Sequence, residues 1–305
     1  MPLPLDQLVM KALTDTTVLS TAIPKIWQPR LETNLRMSAV FEQSAVVDTT
    51  LLVPHSGDIV HIPVLPDLVA AVALTEDTDM TIDALSSSTT VDLTPSEYGK
   101  MIGVTRKVLD RIGFDGIAAI IDRLAYSMTL AIEPQFAGLY SGFTSDLYPN
   151  GHGSGTIVGT DTFSDALMLD GLRQLAVYNN VPFPDGFYRL YISPGQWKAL
   201  LQDSDTRQDL RFAAPERLLN GEVGILHGCR IIVTNFIKTA TENTQTVNKA
   251  LLVAPRWAAI AYKRRPEVFV DPTLYDGGRR RQIGATADFQ VAKLHADRAV
   301  VLSSV

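Results

Sequence analysis

Fifty consecutive residues, from Asp48 to Glu97, contain nine acids (Asp48, Asp58, Asp67, Glu76, Asp77, Asp79, Asp83, Asp92, Glu97) and no lysine or arginine. Inside this tract, "SGDIVHIPVLPDL" (56–68) turns at Gly57 and Asp58 and then supplies the β-branched residues Ile59, Val60, Ile62 and Val64. Pro63 and Pro66 cannot donate to a ladder, which confines this strand to an edge or a hairpin border. Alternation returns in "TTVDLTPSEYGKMIGVT" (89–105), so residues 58–105 are predicted to form a long, polar, largely two-stranded excursion. A hairpin of that kind is marginal alone in water. Its apolar side chains Leu74, Met80, Ile82, Leu85 and Val91 are too few to cover one another. The support such a tract needs is predicted to be a second copy of the same chain.

Charge is distributed to match. The chain of 305 residues has a formal charge of -6, which argues against a protein whose main work is gripping nucleic acid. From Arg256 to Arg298, however, nine bases (Arg256, Lys263, Arg264, Arg265, Arg279, Arg280, Arg281, Lys293, Arg298) face five acids (Glu267, Asp271, Asp276, Asp288, Asp297). The acids Glu76, Asp77, Asp79 and Asp83 at the far end of the excursion, and the bases Arg264, Arg265, Arg279, Arg280 and Arg281, are the candidate contacts between copies. For "GGRRRQ" (277–282) three readings stand: DNA phosphates, the acidic excursion, or solvent. Arginine forks favour carboxylates and phosphates in two-pronged contact.

The rest of the chain reads as α+β. "TAIPKIWQPRLETNLRMSAVFEQ" (21–43) spaces Ile26, Trp27, Leu31, Leu35 and Phe41 roughly helically around Pro29, an N-terminal arm with short helices. In residues 115–142, Ile117, Ile121, Leu124, Met128 and Ile132 form one stripe of a long helix, with Asp115 as a possible N-cap, Pro134 late in it and Gly142 as a stop. "FTSDLYPNGHGSGTIVGT" (143–160) is a loop by composition. A helix over 164–179 capped by Ser164, a strand at 186–193, a short helix over 193–201 opening on Pro194, and a strand at 228–237 follow. "TATENTQTVN" (239–248) is a loop or hairpin tip, and the tail carries strands at "EVFV", "RQIGATADFQVAKL" and "RAVVLSS".

Catalytic and ligand motifs are sparse. "GHGSG" (151–155) lacks the spacing and the lysine of a phosphate cradle and reads as a flexible connection, and no serine sits in a G-x-S-x-G elbow. The histidines His55, His61, His152, His227 and His295 are scattered, which favours surface or hydrogen-bonded roles over a metal site. "EDTD" (76–79) lacks the glycine and distal glutamate of an EF-hand loop; it remains a solvated tip, a weak divalent site, or an acidic tip that docks on a neighbour. Cys229 is alone, so no internal disulfide can form; it reads as a small buried residue at a strand edge, in a reducing compartment. "MPLPLDQLVMKAL" does not read as a secretory signal, and the longest apolar run, "LVAAVAL" (68–74), is far short of the roughly 20 residues of a membrane helix, so a soluble intracellular product is expected.

The order of these parts resembles the major capsid protein of tailed bacteriophages, with its HK97-like fold. The resemblance is carried by "GDIVHIP", the Thr-rich and acid-rich excursion, "VDLTPSEYGKMIGVT" leading into "LDRIGFDGIAAIIDRLAYSMTLAIE", "LYISPGQWKALL", and "ALLVAPRWAAIAYKRRPEVFVD" with strands after it. It implies an N-terminal arm (1–45), an extended E-loop hairpin (46–104), a peripheral domain with a long spine helix and linker (105–159), an axial domain (160–248), and return strands of the peripheral domain (249–305). It also implies an icosahedral shell of hexamers and pentamers enclosing double-stranded DNA without sequence-specific binding. A separate scaffolding protein and a portal are implied partners and a decoration protein a further one, with assembly in the host bacterial cytoplasm and residence in the virion. No cofactor and no membrane is implied. Some members lock the shell covalently through an E-loop lysine; residues 48–97 have none. An encapsulin-like nanocompartment shares the architecture and is the alternative within the fold. A soluble hydrolase with a cleft between lobes is the reading from another class, but nucleophile, base and oxyanion donors do not cluster.

Overall fold

The computed structural model describes residues 40–48, 59–64, 73, 89–105, 107–108, 116–203, 224–270 and 279–305. In chain order, a 3-10 turn (Glu42–Ser44) leads into β1 (Val46–Asp48), β2 (Val60–Val64), β3 (Thr89–Leu93) and β4 (Ser96–Thr105). Helix α1 (Gly116–Gly138), β5 (Ser145–Leu147), α2 (Asp165–Val177), β6 (Tyr188–Ile192) and α3 (Pro194–Gln202) follow. The remainder is strand: β7 (Ile225–Leu226), β8 (Cys229–Val233), β9 (Thr239–Glu242), β10 (Gln245–Val253), β11 (Ala258–Val270), β12 (Arg280–Lys293) and β13 (Ala299–Ser304). The described residues divide into two compact units, one drawn from 96–132 and 262–289, the other from 40–95, 133–261 and 290–305.

The larger unit is built on a sheet of order β5-β13-β10-β6-β8-β7, with β9 also on β10. Its middle strands are buried on both faces, which explains the unbroken apolar runs "ALLVA" and "AVVL". Helices α2 and α3 cover one face through Leu167, Met168, Leu175 and Leu200, packed on Leu190, Ile192, Leu252 and Leu302. Ser164 caps α2 by accepting from Leu167 N, and Ser193 with Gln196 forms a reciprocal capping box on α3 behind Pro194. Gly171 lets α2 approach the sheet closely: a Cβ there would stand 2.9 Å from Leu302 Cδ2 and 3.1 Å from Leu252 Cδ2. Cys229, buried at the start of β8, has its thiol pushed up to about 12 by burial.

The residues of α1 that face inward are Leu124, Met128, Ile132 and Phe136, each 5% exposed or less. Asp115, the expected cap, lies outside the described residues. The helix continues four residues past Pro134 and then tightens into the 3-10 turn Leu139–Gly142.

In the smaller unit β4 pairs antiparallel with β12, from Arg280 opposite Thr105 to Phe289 opposite Ser96. On one face Tyr98 stacks on Phe289 at 4.6 Å, and Phe289 meets Tyr262 at 6.2 Å. Ile283, Ala285 and Ala287 are buried beside them.

Two elements differ from expectation, and for a third one of its two open readings is the observed one. The two-stranded excursion does not run to residue 105: β3 stops at Leu93, Thr94-Pro95 interrupts it, and β4 takes β12 as its partner. "TATENTQTVN" is a true hairpin, β9–β10, turned by Asn243 (φ 43°) and Thr244 (φ 65°); two consecutive positive φ values twist as the flanking strands do. "EVFV" is only the end of β11, whose first half is the apolar "AAIAY".

Candidate assembly interface

The excursion is rooted in the chain's own core. β2 and β3 pair antiparallel from Val60 opposite Leu93 to Val64 opposite Thr89. Val60 and Leu93 are buried against Ala259, Ala261 and Leu294, where β1 runs parallel to the start of β11. Gln290 Oε1 accepts from the backbone N–H of Thr94 and holds the point where β3 ends. Ile62 and Val91 continue the packed face, and the opposite face is polar. His61 and Asp92 sit directly opposite and meet at 2.6 Å on the surface, and Thr89 and Thr90 are exposed. The acids Glu76, Asp77, Asp79 and Asp83 lie outside the described residues, as does His55.

The predicted basic side chains are on β11 and β12. Arg264 and Arg265 are exposed; Arg264 Nε lies 3.7 Å from Glu267 Oε1, and the Arg265 guanidinium stands 5.9 Å from the Tyr262 ring centre. Arg279 is exposed at the entry to β12, Arg280 opposes Thr105, and Arg281 opposes Val104, with its side chain outside the described residues. The pairing of β4 and β12 therefore places Arg279, Arg280 and Arg281 together at one end of a ribbon. Part of the charge on Arg264 is spent within its own strand.

Three polar clusters were not legible from local sequence, because each joins residues far apart in the chain. The first anchors residues 40–44. Phe41 is fully buried among Phe136, Tyr191 and Trp257, and Ser44 Oγ accepts from Tyr191 OH (2.7 Å) and Trp257 Nε1 (3.1 Å). Glu133, fully buried, accepts at Oε2 from the amides of Val40 (3.1 Å) and Phe41 (3.2 Å). Burial raises its pKa against the lowering effect of those amides.

The second cluster surrounds Lys249, 1% exposed. Its ammonium donates to Asp146 Oδ2 (2.9 Å), Ser303 Oγ (2.9 Å) and Tyr148 OH (3.1 Å), and lies 2.7 Å from Glu242 Oε1. Burial works to lower its pKa; the bonds to Asp146, Glu242 and Tyr148 outweigh burial and hold it above the ordinary lysine value. Burial likewise pushes the Tyr148 hydroxyl up to about 12.

The third cluster orders the loop after β5. Asp161 is fully buried and accepts from Asn150 Nδ2 (2.9 Å) and the Val158 amide (2.9 Å), with His152 Nδ1 at 2.6 Å. Burial opposes its charge, but these partners prevail and hold the carboxyl below its ordinary value of 3.8. The "GHGSG" connection, expected to be flexible, is thus tied at both ends of its turn. His227, in the β7–β8 turn, meets Asp165 at 3.0 Å. Among the described residues, no group of three or more His, Cys, Asp or Glu could hold a metal, and no helix is long and apolar enough to cross a membrane.

A helix-backed sheet, the base of a β2–β3 hairpin, one long helix and a four-stranded sheet of order β1-β11-β12-β4 make up the architecture, which is that of HK97-like phage capsid subunits. A family model described as phage capsid protein matches residues 86–302, and the chain belongs to that family. Solved structures agree at the level of fold. The capsid of Ralstonia phage GP4 shares 14% identity at a TM-score of 0.70, covering 92% of this chain and 94% of that one. A cyanophage P-SCSP1u capsid chain shares 14% at 0.69, covering 94% of each. Helicobacter pylori bacteriophage KHP30 shares 13% at 0.67, covering 94% and 97%. No curated protein sequence matches the chain. The protein is a structural major capsid protein of a phage shell, and its working form is a multimer within the virion.

Proposed function

We propose that the chain closes into an icosahedral shell of hexamers and pentamers around double-stranded DNA, held by the excursion of one subunit lying across the next. The layout supporting this reading is an N-terminal arm (1–45), E-loop (46–104), spine-helix domain (105–159), axial domain (160–248) and return strands (249–305). A separate scaffolding protein and a portal assist assembly in the host cytoplasm, a decoration protein is compatible with the outer face, and the shell carries out no catalysis. DNA is enclosed without sequence reading, in keeping with the net charge of -6.

The observation that carries the docking role is the root of the excursion. Val60 and Leu93 anchor its base in the subunit's own core, while the tract beyond carries acids and no bases. Its partners are then drawn from the basic set Arg264, Arg265, Arg279, Arg280 and Arg281 of a neighbouring copy. One exposed ion pair contributes only ~0–1 kcal/mol, so no single contact holds the shell. Burial of apolar surface adds about 25 cal/mol per Å² before ordering costs, so charge sets where the excursion lands and area holds it there.

Reversing Glu76, Asp77 and Asp79 together to lysine should leave a folded subunit that no longer forms shells in the electron microscope. Shells of normal size and yield from this triple variant would refute the docking role. Nucleic acid inside purified particles supports the DNA-enclosing shell, and a cargo protein in its place would mark a nanocompartment.

A further inference from the structure

The β4–β12 ribbon has a second face, opposite to Tyr98 and Phe289. The register sets Glu97 against Asp288, Gly99 against Thr286, Met101 against Gly284 and Gly103 against Gln282 on that face. Glu97 and Gly99 are exposed, and Met101 is 49% exposed. Phe269, 37% exposed, lies over Gly284, where a Cβ would stand 2.7 Å from its ring. Two carboxylates directly across an antiparallel pair repel one another. Among the described residues no cation or donor pairs with either, and Asp288 Oδ1 is sealed from water without a hydrogen-bond partner. The face is electrostatically incomplete in the single chain.

We propose that this face receives a second copy of the chain, whose Arg279 turn sets a guanidinium over Glu97 and Asp288 while its apolar neighbours cover Met101 and Phe269. The proposal rests on the shell-forming reading. Its warrant is the polarity of the ribbon: carboxylates stand at the Glu97–Asp288 end, and the exposed Arg279 with Arg280 and Arg281 stands at the other. A ribbon with unlike ends complements a copy of itself head to tail, the heterologous contact that generates rings and closed arrays. Arginine suits the site because its planar fork can span two carboxylates. Gly99 and Gly103 keep the floor low, so a long side chain can lie flat. Anionic partners, DNA phosphates and the acidic excursion included, are turned away by the same two carboxylates.

The test is made on the full chain, with wild-type shells formed in parallel so that the shell-forming reading is scored separately. The neutral variant Glu97→Gln/Asp288→Asn removes the repulsion within the ribbon. Its unassembled subunit should therefore melt no lower than wild type, while the concentration needed for shells rises several-fold. Glu97→Lys/Asp288→Lys and Arg279→Glu should each block assembly, and shells should return when the three changes are combined. A neutral variant that assembles at the wild-type concentration, or a combined variant that stays unassembled while folded, overturns the proposal.

Discussion

Lys249 shows how a single buried charge can be worth keeping. Taken from water it costs several kcal/mol, and only the close ring of Asp146, Glu242, Tyr148 and Ser303 makes it tolerable. Lys249→Ala strands two carboxylates around an empty position and should cost about 3–5 kcal/mol in denaturant unfolding of the unassembled subunit. Because its folded pKa is raised, this lysine's contribution is fully present below its ordinary value of 10.5 and is lost only as pH climbs through the higher folded value. Asp161 works in the opposite sense. Its carboxyl is held low, so its contribution is present above 3.8 and disappears as pH falls through the folded value. Asp161→Ala leaves the donors of Asn150 and Val158 unpaired and should cost about 1–3 kcal/mol at neutral pH. The same variant should lose less further stability than wild type on strong acidification, as read from melting temperatures at pH 7 and pH 3.

At the scale of elements, the closest fit is α2 on its sheet. Gly171→Ala would press a methyl group onto Leu302 and Leu252, both fully buried and unable to swing clear, and should destabilise by about 1–3 kcal/mol. Gly284→Ala meets the Phe269 ring at a shorter distance, yet that ring is partly exposed and can rotate outward, so the loss should be smaller. Thermal melts of the two variants side by side check this order; a larger loss at Gly284 would show that the Phe269 ring is fixed. The elements visible in the sequence were those whose signal is local. The stripe Leu124, Met128, Ile132 marks α1, Ser164 marks the start of α2, and Pro194 behind Ser193 marks α3. The strands β10 and the first half of β11 were missed because both faces of "ALLVA" and "AAIAY" are buried, so no alternation announces them. The end of the excursion was misplaced because β3 and β4 have the same polar alternation, and only the distant β12 decides which ladder β4 joins. Charge tracts pointed to the ribbon's arginines, but the confrontation of Glu97 and Asp288, 191 positions apart, needed the register.

For the whole molecule, the decisive question is how charge and area divide the work of assembly. Exposed charges separated by more than about 10 Å are largely screened at ~0.1 M salt, and at ~1 M this length shrinks to roughly 3 Å. Apolar burial is not weakened by such screening. Exposed side chains able to supply it are spread over the subunit, among them Met101, Leu130, Leu169, Val177 and Val181. If charge steers and area holds, salt must act differently on the two directions of the reaction. Raising salt from ~0.1 to ~1 M should slow shell formation from purified subunits, as followed by light scattering, because long-range attraction between acidic and basic tracts is lost. Shells already closed should survive the same transfer, since no exposed ion pair contributes more than ~1 kcal/mol to what holds them. Dissolution of finished shells by salt alone would assign the holding energy to the arginines and carboxylates themselves, and the division of labour argued from their exposure would be wrong.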